Sequence, residues 1–115
     1  MSDAMDVVAD VCQIPVRLNR GDGSVCKLVD ESGYRDSPMI LSLEAVSSYL
    51  AQHPGLVDAW LGYSADKRVS SGWYIVEKSA GTFEVGYYAQ DKPEHFTDRD
   101  RACAEFIIRE VRSIR

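Results

Sequence analysis

The feature that most constrains the fold is a pair of segments in which apolar and polar residues alternate. Residues 73–76 read WYIV, residues 83–88 read FEVGYY, and residues 79–81 (SAG) lie between them. A period of two is typical of strands, and a short loop with glycine favours a hairpin. An isolated hairpin is marginally stable in water, so a helix must cover its apolar face. That face comprises Trp73, Ile75, Phe83 and Val85.

The last segment of the chain predicts the covering helix. Thr97 is expected to be its N-cap, with Asp98 and Asp100 at the positive end of the helix dipole and arginines at the negative end. Its apolar side chains recur at helical spacing, which predicts one buried stripe. The stripe comprises Cys103, Phe106, Ile107, Val111 and Ile114.

The first two thirds of the chain predict mainly helices. Ser24 and Ser42 are expected N-caps, Gly33 ends one helix, and Pro54 separates two others. Alternation over residues 14–18 predicts an edge strand, since Pro15 cannot donate to a central ladder. We therefore predict one α+β domain over residues 1–115, in which a small antiparallel sheet packs against several helices. The sheet consists of the hairpin and, if it pairs, this edge strand. The helices that pack against it include a long C-terminal helix.

Composition limits the classes of protein to which the chain can belong. The 115 residues are 45% apolar, which suffices for one ordinary core. Three cysteines without a C-x-x-C pair fit reduced thiols, and the acidic start MSDAMDVVADV does not resemble a signal peptide, so we expect a cytoplasmic protein. No segment approaches the roughly 20 apolar residues of a membrane span. The net charge of -5 disfavours nucleic acid and mildly favours basic partners, although solubility alone also explains it.

No pattern of residues predicts catalysis, a metal site or a cofactor. Cys103 could act as a nucleophile only beside a base such as His53 or His95, and its place on an apolar stripe favours a core position. The two histidines are 42 positions apart, and a zinc site needs three or four clustered ligands. We expect His53 to mark a helix terminus and His95 to lie in a loop. Carboxylates such as Glu77 are best explained as a solvated surface.

The aromatic residues indicate where a partner could bind. Trp60 and Trp73 lie on predicted buried faces, and we expect both in the core. Tyr74 and Tyr88 fall on the opposite face of the hairpin, with Val76, Lys78 and Glu84. This aromatic and charged face is a candidate interface unless a further strand or helix covers it. The candidate contact residues are Asp58, Asp66, Tyr74, Glu84 and Tyr88.

Residues 56–114 carry a resemblance to a known class of proteins. The segments are WLGYS at 60–64, DKR at 66–68, GWY at 72–74, the hairpin, FTD at 96–98 and RACAEFI at 101–107. This order resembles small bacterial immunity proteins of polymorphic-toxin and contact-dependent inhibition systems. The resemblance implies packing roles for Trp73, Phe96, Cys103 and Phe106. It implies no catalytic residue, and residues 1–55 lie outside it.

Three hypotheses for the function follow. The first is an immunity protein that binds a toxin domain and blocks it by occlusion. The second is a small regulatory or adaptor domain that binds a host protein or a small ligand. Such a domain could form a homodimer through the same hairpin face. The third, an enzyme with a hidden Cys/His or carboxylate site, has the least support, and we expect the protein not to be an enzyme.

Overall fold

The computed structural model describes residues 4–34, 41–66, 72–79, 81–87 and 92–113. Within these ranges the chain forms six helices and a three-stranded antiparallel sheet, which confirms the predicted α+β class. None of the described helices is both long and apolar enough to cross a membrane. In chain order, the elements are α1 (Ala4–Cys12), α2 (Ile14–Asn19), α3 (Val25–Ser32), α4 (Leu43–Gln52), α5 (Gly55–Asp66), β1 (Trp73–Ser79), β2 (Thr82–Tyr87), β3 (Glu94–Phe96) and α6 (Arg99–Ser113).

The sheet has the order β1-β2-β3, with β2 in the centre. β1 and β2 form the predicted hairpin, in which Ile75 pairs with Val85, and Gly81 adopts a φ of 83° in the turn. Ile75, Phe83 and Val85 are buried on one face, as their alternation predicts. The Ser64 hydroxyl of α5 accepts the Ile75 N–H at 2.9 Å, so a helix satisfies a backbone donor of edge strand β1.

α6 is the central helix of the molecule. It packs against the sheet and also against α4 and α5. It therefore covers the hairpin as predicted. Its buried surface is wider than the predicted apolar stripe. Of that stripe, Ile114 lies outside the described residues. The buried residues of α6 are Ala102, Cys103, Ala104, Phe106, Ile107, Ile108, Glu110 and Val111.

Most predicted helix boundaries are confirmed. The side chains of Ser24 and Ser42 each accept a backbone N–H at the start of α3 and α4, and Gly33 ends α3 with a φ of 83°. α4 ends before Pro54, with His53 as its C-cap. α5 then begins at Gly55. Caps are predictable because they satisfy backbone groups within one helical turn.

The predicted edge strand over residues 14–18 is wrong, because this segment is helix α2 (Ile14–Asn19). Pro15 lies in the first turn of the helix, where the missing N–H costs nothing. Ile14 is fully buried, whereas Val16 and Leu18 are only half-buried. Because Pro15 is buried as well, burial in this segment does not follow the alternation, and the third strand comes from another part of the chain.

That third strand is β3. Two further predictions for this part of the chain, those for His95 and Thr97, are wrong. His95 lies within β3 opposite Glu84, so it is a strand residue and not a loop residue. Thr97 is not the cap of α6. Asp98 has that role, because its Oδ1 accepts the backbone N–H groups of Asp100 and Arg101 at 3.1 and 3.2 Å.

The two tryptophans differ in burial. Trp60 is 1% exposed, which confirms its core position, and its Nε1–H donates to the Cys12 carbonyl at 2.8 Å. Trp73 is only partly buried at the margin of the core. Its ring meets that of Tyr87 edge to face, with the centroids 5.2 Å apart. Phe106 and Cys103 are fully buried, and Phe96 packs partly buried against the core.

Candidate functional site

One face of the sheet points away from α6, and we call it the outer sheet face. Two rows of paired residues cross it: Tyr74 lies opposite Gly86, and Val76, Glu84 and His95 lie side by side on the three strands. Lys78 and His95 expose 56% and 57% of their side chains. The outer sheet face comprises Tyr74, Val76, Lys78, Glu84, Gly86 and His95.

Glu84 is the centre of this face. Its Oε2 accepts the Tyr74 hydroxyl at 2.7 Å, and its Oε1 lies 3.2 Å from His95 Nε2. The Lys78 ammonium is 3.9 Å from the same Oε1. Only 14% of the Glu84 side chain is exposed. The carboxylate is therefore largely enclosed by groups from three strands, and its charge is partly balanced by Lys78.

The surroundings of Glu84 lower the pKa of its carboxyl group. The largest cause is the hydrogen bond from the Tyr74 hydroxyl, which stabilises the charged form. Burial opposes this effect, while the His95 contact and the charge of Lys78 add to it. Because the folded pKa lies below the ordinary value of 4.5, this carboxylate stabilises the fold above that pH, and the contribution is lost as pH falls through the folded pKa.

Glu84→Gln is therefore expected to flatten the dependence of stability on acidic pH. Urea unfolding of the wild type between about pH 5 and pH 3 should show a steeper loss of unfolding free energy than the variant shows. Glu77→Gln is the matched control, since Glu77 is exposed on β1 and forms no ion pair with another described residue. Equal acid slopes for Glu84→Gln and the wild type would contradict the assigned environment.

Tyr74 has a second structural role on this face. A Cβ placed on Gly86 would lie 2.7 Å from the Tyr74 hydroxyl oxygen and 2.9 Å from the adjoining ring carbon. The Tyr74 ring therefore covers the glycine, and any larger residue would displace it. This contact and the bond to Glu84 hold the ring against the sheet. Tyr74 is thus a rigid, half-buried aromatic surface, a type of residue enriched in protein interfaces.

The five predicted contact residues do not all lie together. Tyr74 and Glu84 are hydrogen-bonded to one another on the outer sheet face. Asp58 belongs to a different cluster, in which Arg99 Nη2 lies 2.8 Å from its Oδ1. Asp66 is the last residue of α5, and its side chain lies outside the described part, as does Tyr88 entirely. His95 is not among the five predicted residues, yet it adjoins Glu84. Only the pairing of β3 reveals this position.

The cysteines and histidines form no nucleophilic pair within the described ranges. Cys12 and Cys103 are fully buried, and burial raises the pKa of the Cys12 thiol to about 12 and that of Cys103 well above its ordinary value. The His53 ring stacks on Tyr49 at 4.1 Å, and no hydrogen bond joins either histidine to a described cysteine. The described residues also contain no cluster of three or more His, Cys, Asp or Glu that could hold a metal ion.

We expect thiol reagents to distinguish the three cysteines. Cys26 is exposed, whereas Cys12 and Cys103 are shielded and their thiolates are disfavoured. The native protein should react rapidly at Cys26 and at least about 100-fold more slowly at the other two, whereas all three should react quickly in urea. Cys26→Ser should abolish the fast phase, as followed by intact mass. Fast labelling of Cys103 in the native protein would instead support the hypothesis of an enzyme that uses this cysteine.

Two shallow clefts adjoin the helices. The first, about 330 Å³, lies between α4 and the start of α6, and its lining includes Glu44, Ser47, Asp98 and Arg101. The second, about 280 Å³, lies at the C-terminal end of α6 beside Trp73. Serine hydroxyls and carboxylates both line the first cleft, but no hydrogen bond joins a hydroxyl to a carboxylate among the described residues that line either cleft. In comparisons with known proteins, no protein-family model, no curated protein and no solved structure matches this chain.

Proposed function

We propose that this protein is an immunity protein that binds a toxin domain through the outer sheet face and blocks it by occlusion. The observation that carries the proposal is the open, preorganised surface around Tyr74 and Glu84. A rigid aromatic side chain loses little conformational entropy on binding, and the surrounding polar groups set orientation. This surface supports recognition of a protein better than it supports bond-breaking chemistry.

The preferred partner is a toxin domain with a basic surface. The chain carries 18 acidic and 13 basic residues, so a basic partner is attracted at long range. On the outer sheet face itself, Lys78 partly balances the charge of Glu84, and His95 lies beside the same carboxylate oxygen. Charge complementarity therefore acts mainly on the association rate, while Tyr74 and Val76 supply contact area. The resemblance of residues 56–114 to immunity proteins points to the same class of partner.

Co-expression with the product of the neighbouring open reading frame tests the proposal. We expect a stoichiometric complex in which the partner's toxic activity is inhibited. Val76→Arg places a bulky charge on the outer sheet face and should weaken the complex at least about tenfold, consistent with a residue near the centre of an interface. Val16→Arg on α2 is the matched control, because both valines are half-buried and neither belongs to the core.

The results separate the proposal from the alternatives. No complex with any adjacent toxin would contradict the immunity function. Equal weakening by the two arginine variants, with both shown to be folded by circular dichroism, would contradict the choice of surface. A stable homodimer that Val76→Arg dissociates would instead favour a regulatory or adaptor domain that pairs through this face.

A further inference from the structure

The cleft at the C-terminal end of α6 combines an aromatic wall with two cations. It has a volume of about 280 Å³ and is lined by Trp73, Arg109, Arg112 and Ser113. Trp73 points to the helical side of the sheet, so this cleft is separate from the outer sheet face. Its volume lies just below the range of roughly 300–1,000 Å³ that is typical of small-molecule sites.

Arg109 is held in a defined position within this cleft. Its Nη2 lies 2.7 Å from a Glu94 carboxylate oxygen and 3.1 Å from one of Glu105. Its guanidinium carbon is 5.1 Å from the centroid of the Trp73 ring, within range of a cation-π interaction. Both ion pairs use the same nitrogen. The other guanidinium N–H groups donate to no residue in the described part of the chain.

Arg112 supplies the second cation. It is exposed in the last turn of α6 and forms no ion pair with any residue that the structure describes. The Ser113 hydroxyl donates to the Glu110 carbonyl at 2.6 Å, so the arginines are the donors available to a ligand. Arginine presents a planar fork of N–H groups that matches a carboxylate.

We propose that this cleft binds a small planar carboxylate, with its oxyanion at Arg109 and Arg112 and its apolar part against Trp73. This site goes beyond the proposed inhibition of a toxin and does not depend on it. Glu94, Glu105 and the carbonyl groups at the end of α6 reduce the positive potential. Because of this opposition, and because exposed ion pairs contribute little, we expect weak binding of a singly charged ligand, with a Kd above about 1 mM.

Titration with benzoate, followed by 1H–15N NMR, tests the site. The two tryptophan indole N–H signals provide a probe and an internal reference: Trp73 lines the cleft, while the Trp60 indole is buried and bonded to Cys12. Trp73→Phe assigns the signals. Benzoate should shift the Trp73 signal saturably, and the Trp60 signal should stay in place. Benzamide, which has the same shape without the charge, should shift neither.

Substitution of the cations completes the test. Arg112→Gln should weaken benzoate binding roughly fivefold, the scale of a partly exposed ion pair. Arg101→Gln, an exposed arginine near the other end of α6, is the control and should leave the affinity unchanged. A benzamide shift equal to that of benzoate, the absence of any saturable shift, or an unchanged affinity in Arg112→Gln would each overturn the site.

Discussion

Trp60→Ala is expected to lower the free energy of unfolding by about 3–5 kcal/mol, the range for removing a large aromatic side chain from a core. Trp60 is 1% exposed, and its ring lies edge to face with those of Tyr63 and Phe106, at centroid distances of 5.2 and 5.9 Å. Its indole N–H also satisfies the Cys12 carbonyl at the end of α1. One side chain thus joins α5 to α1 and α6.

Trp60→Phe separates packing from the hydrogen bond. Phenylalanine retains an aromatic ring but has no N–H, so the Cys12 carbonyl loses this donor, at a cost of about 1–3 kcal/mol. Urea unfolding followed by circular dichroism measures both variants, with Trp73→Phe as the half-buried control. A loss below about 1 kcal/mol for Trp60→Ala would show that Trp60 does not fill the core as described.

Tyr63→Phe is the second substitution with a large expected effect. The Tyr63 hydroxyl donates to Glu110 Oε2 at 2.6 Å, and Glu110 is 3% exposed in the central helix. Removal of a donor to a buried charged group costs about 1.5–3 kcal/mol, since the desolvated oxygen cannot reach water. Burial, with the hydrogen bond and charge of Glu110, raises the pKa of Tyr63, which keeps the donor proton in place.

Tyr87→Phe is the control for this prediction. Tyr87 packs against Trp73, and its hydroxyl makes no hydrogen bond to another described residue. Loss of the Tyr87 hydroxyl group should change the unfolding free energy by no more than about 0.5 kcal/mol, as is usual for surface substitutions. Equal effects of Tyr63→Phe and Tyr87→Phe would contradict the role of the Glu110 contact. At pH 7, the loss of unfolding free energy caused by Tyr63→Phe should be similar at low and at high salt, because a buried hydrogen bond is weakly screened.

These core substitutions also help to interpret the binding experiments. Trp60 and Tyr63 do not belong to the outer sheet face and do not line the cleft beside Trp73, so we expect their substitution to act mainly on stability. Val76→Arg and Arg112→Gln change exposed or half-buried positions and should leave the fold intact. A variant that loses binding while retaining wild-type stability therefore identifies a contact residue.

Local physical chemistry made much of the architecture predictable. Ser24, Ser42 and Gly33 act on backbone groups within one turn of a helix, so their neighbours in sequence are sufficient to identify them. The hairpin was predictable for the same reason, because its two strands are adjacent in the chain and its alternation identifies the buried face. The alternation alone therefore assigns Tyr74 and Glu84 to one face of the hairpin.

Contacts between distant segments decided what the pattern alone could not. β3 has three residues, two of them polar and exposed, and it is a strand because β2 supplies its hydrogen-bonding partners. His95 reaches Glu84 through this pairing, and Glu110 is buried because α6 lies in the centre of the molecule. Residues 14–18 show the converse case, in which helix packing overrides an apparent alternation. Sequence determines periodicity, turns and caps, which act over a few residues, whereas strand partners and a helix's degree of burial depend on which surfaces meet in the folded chain.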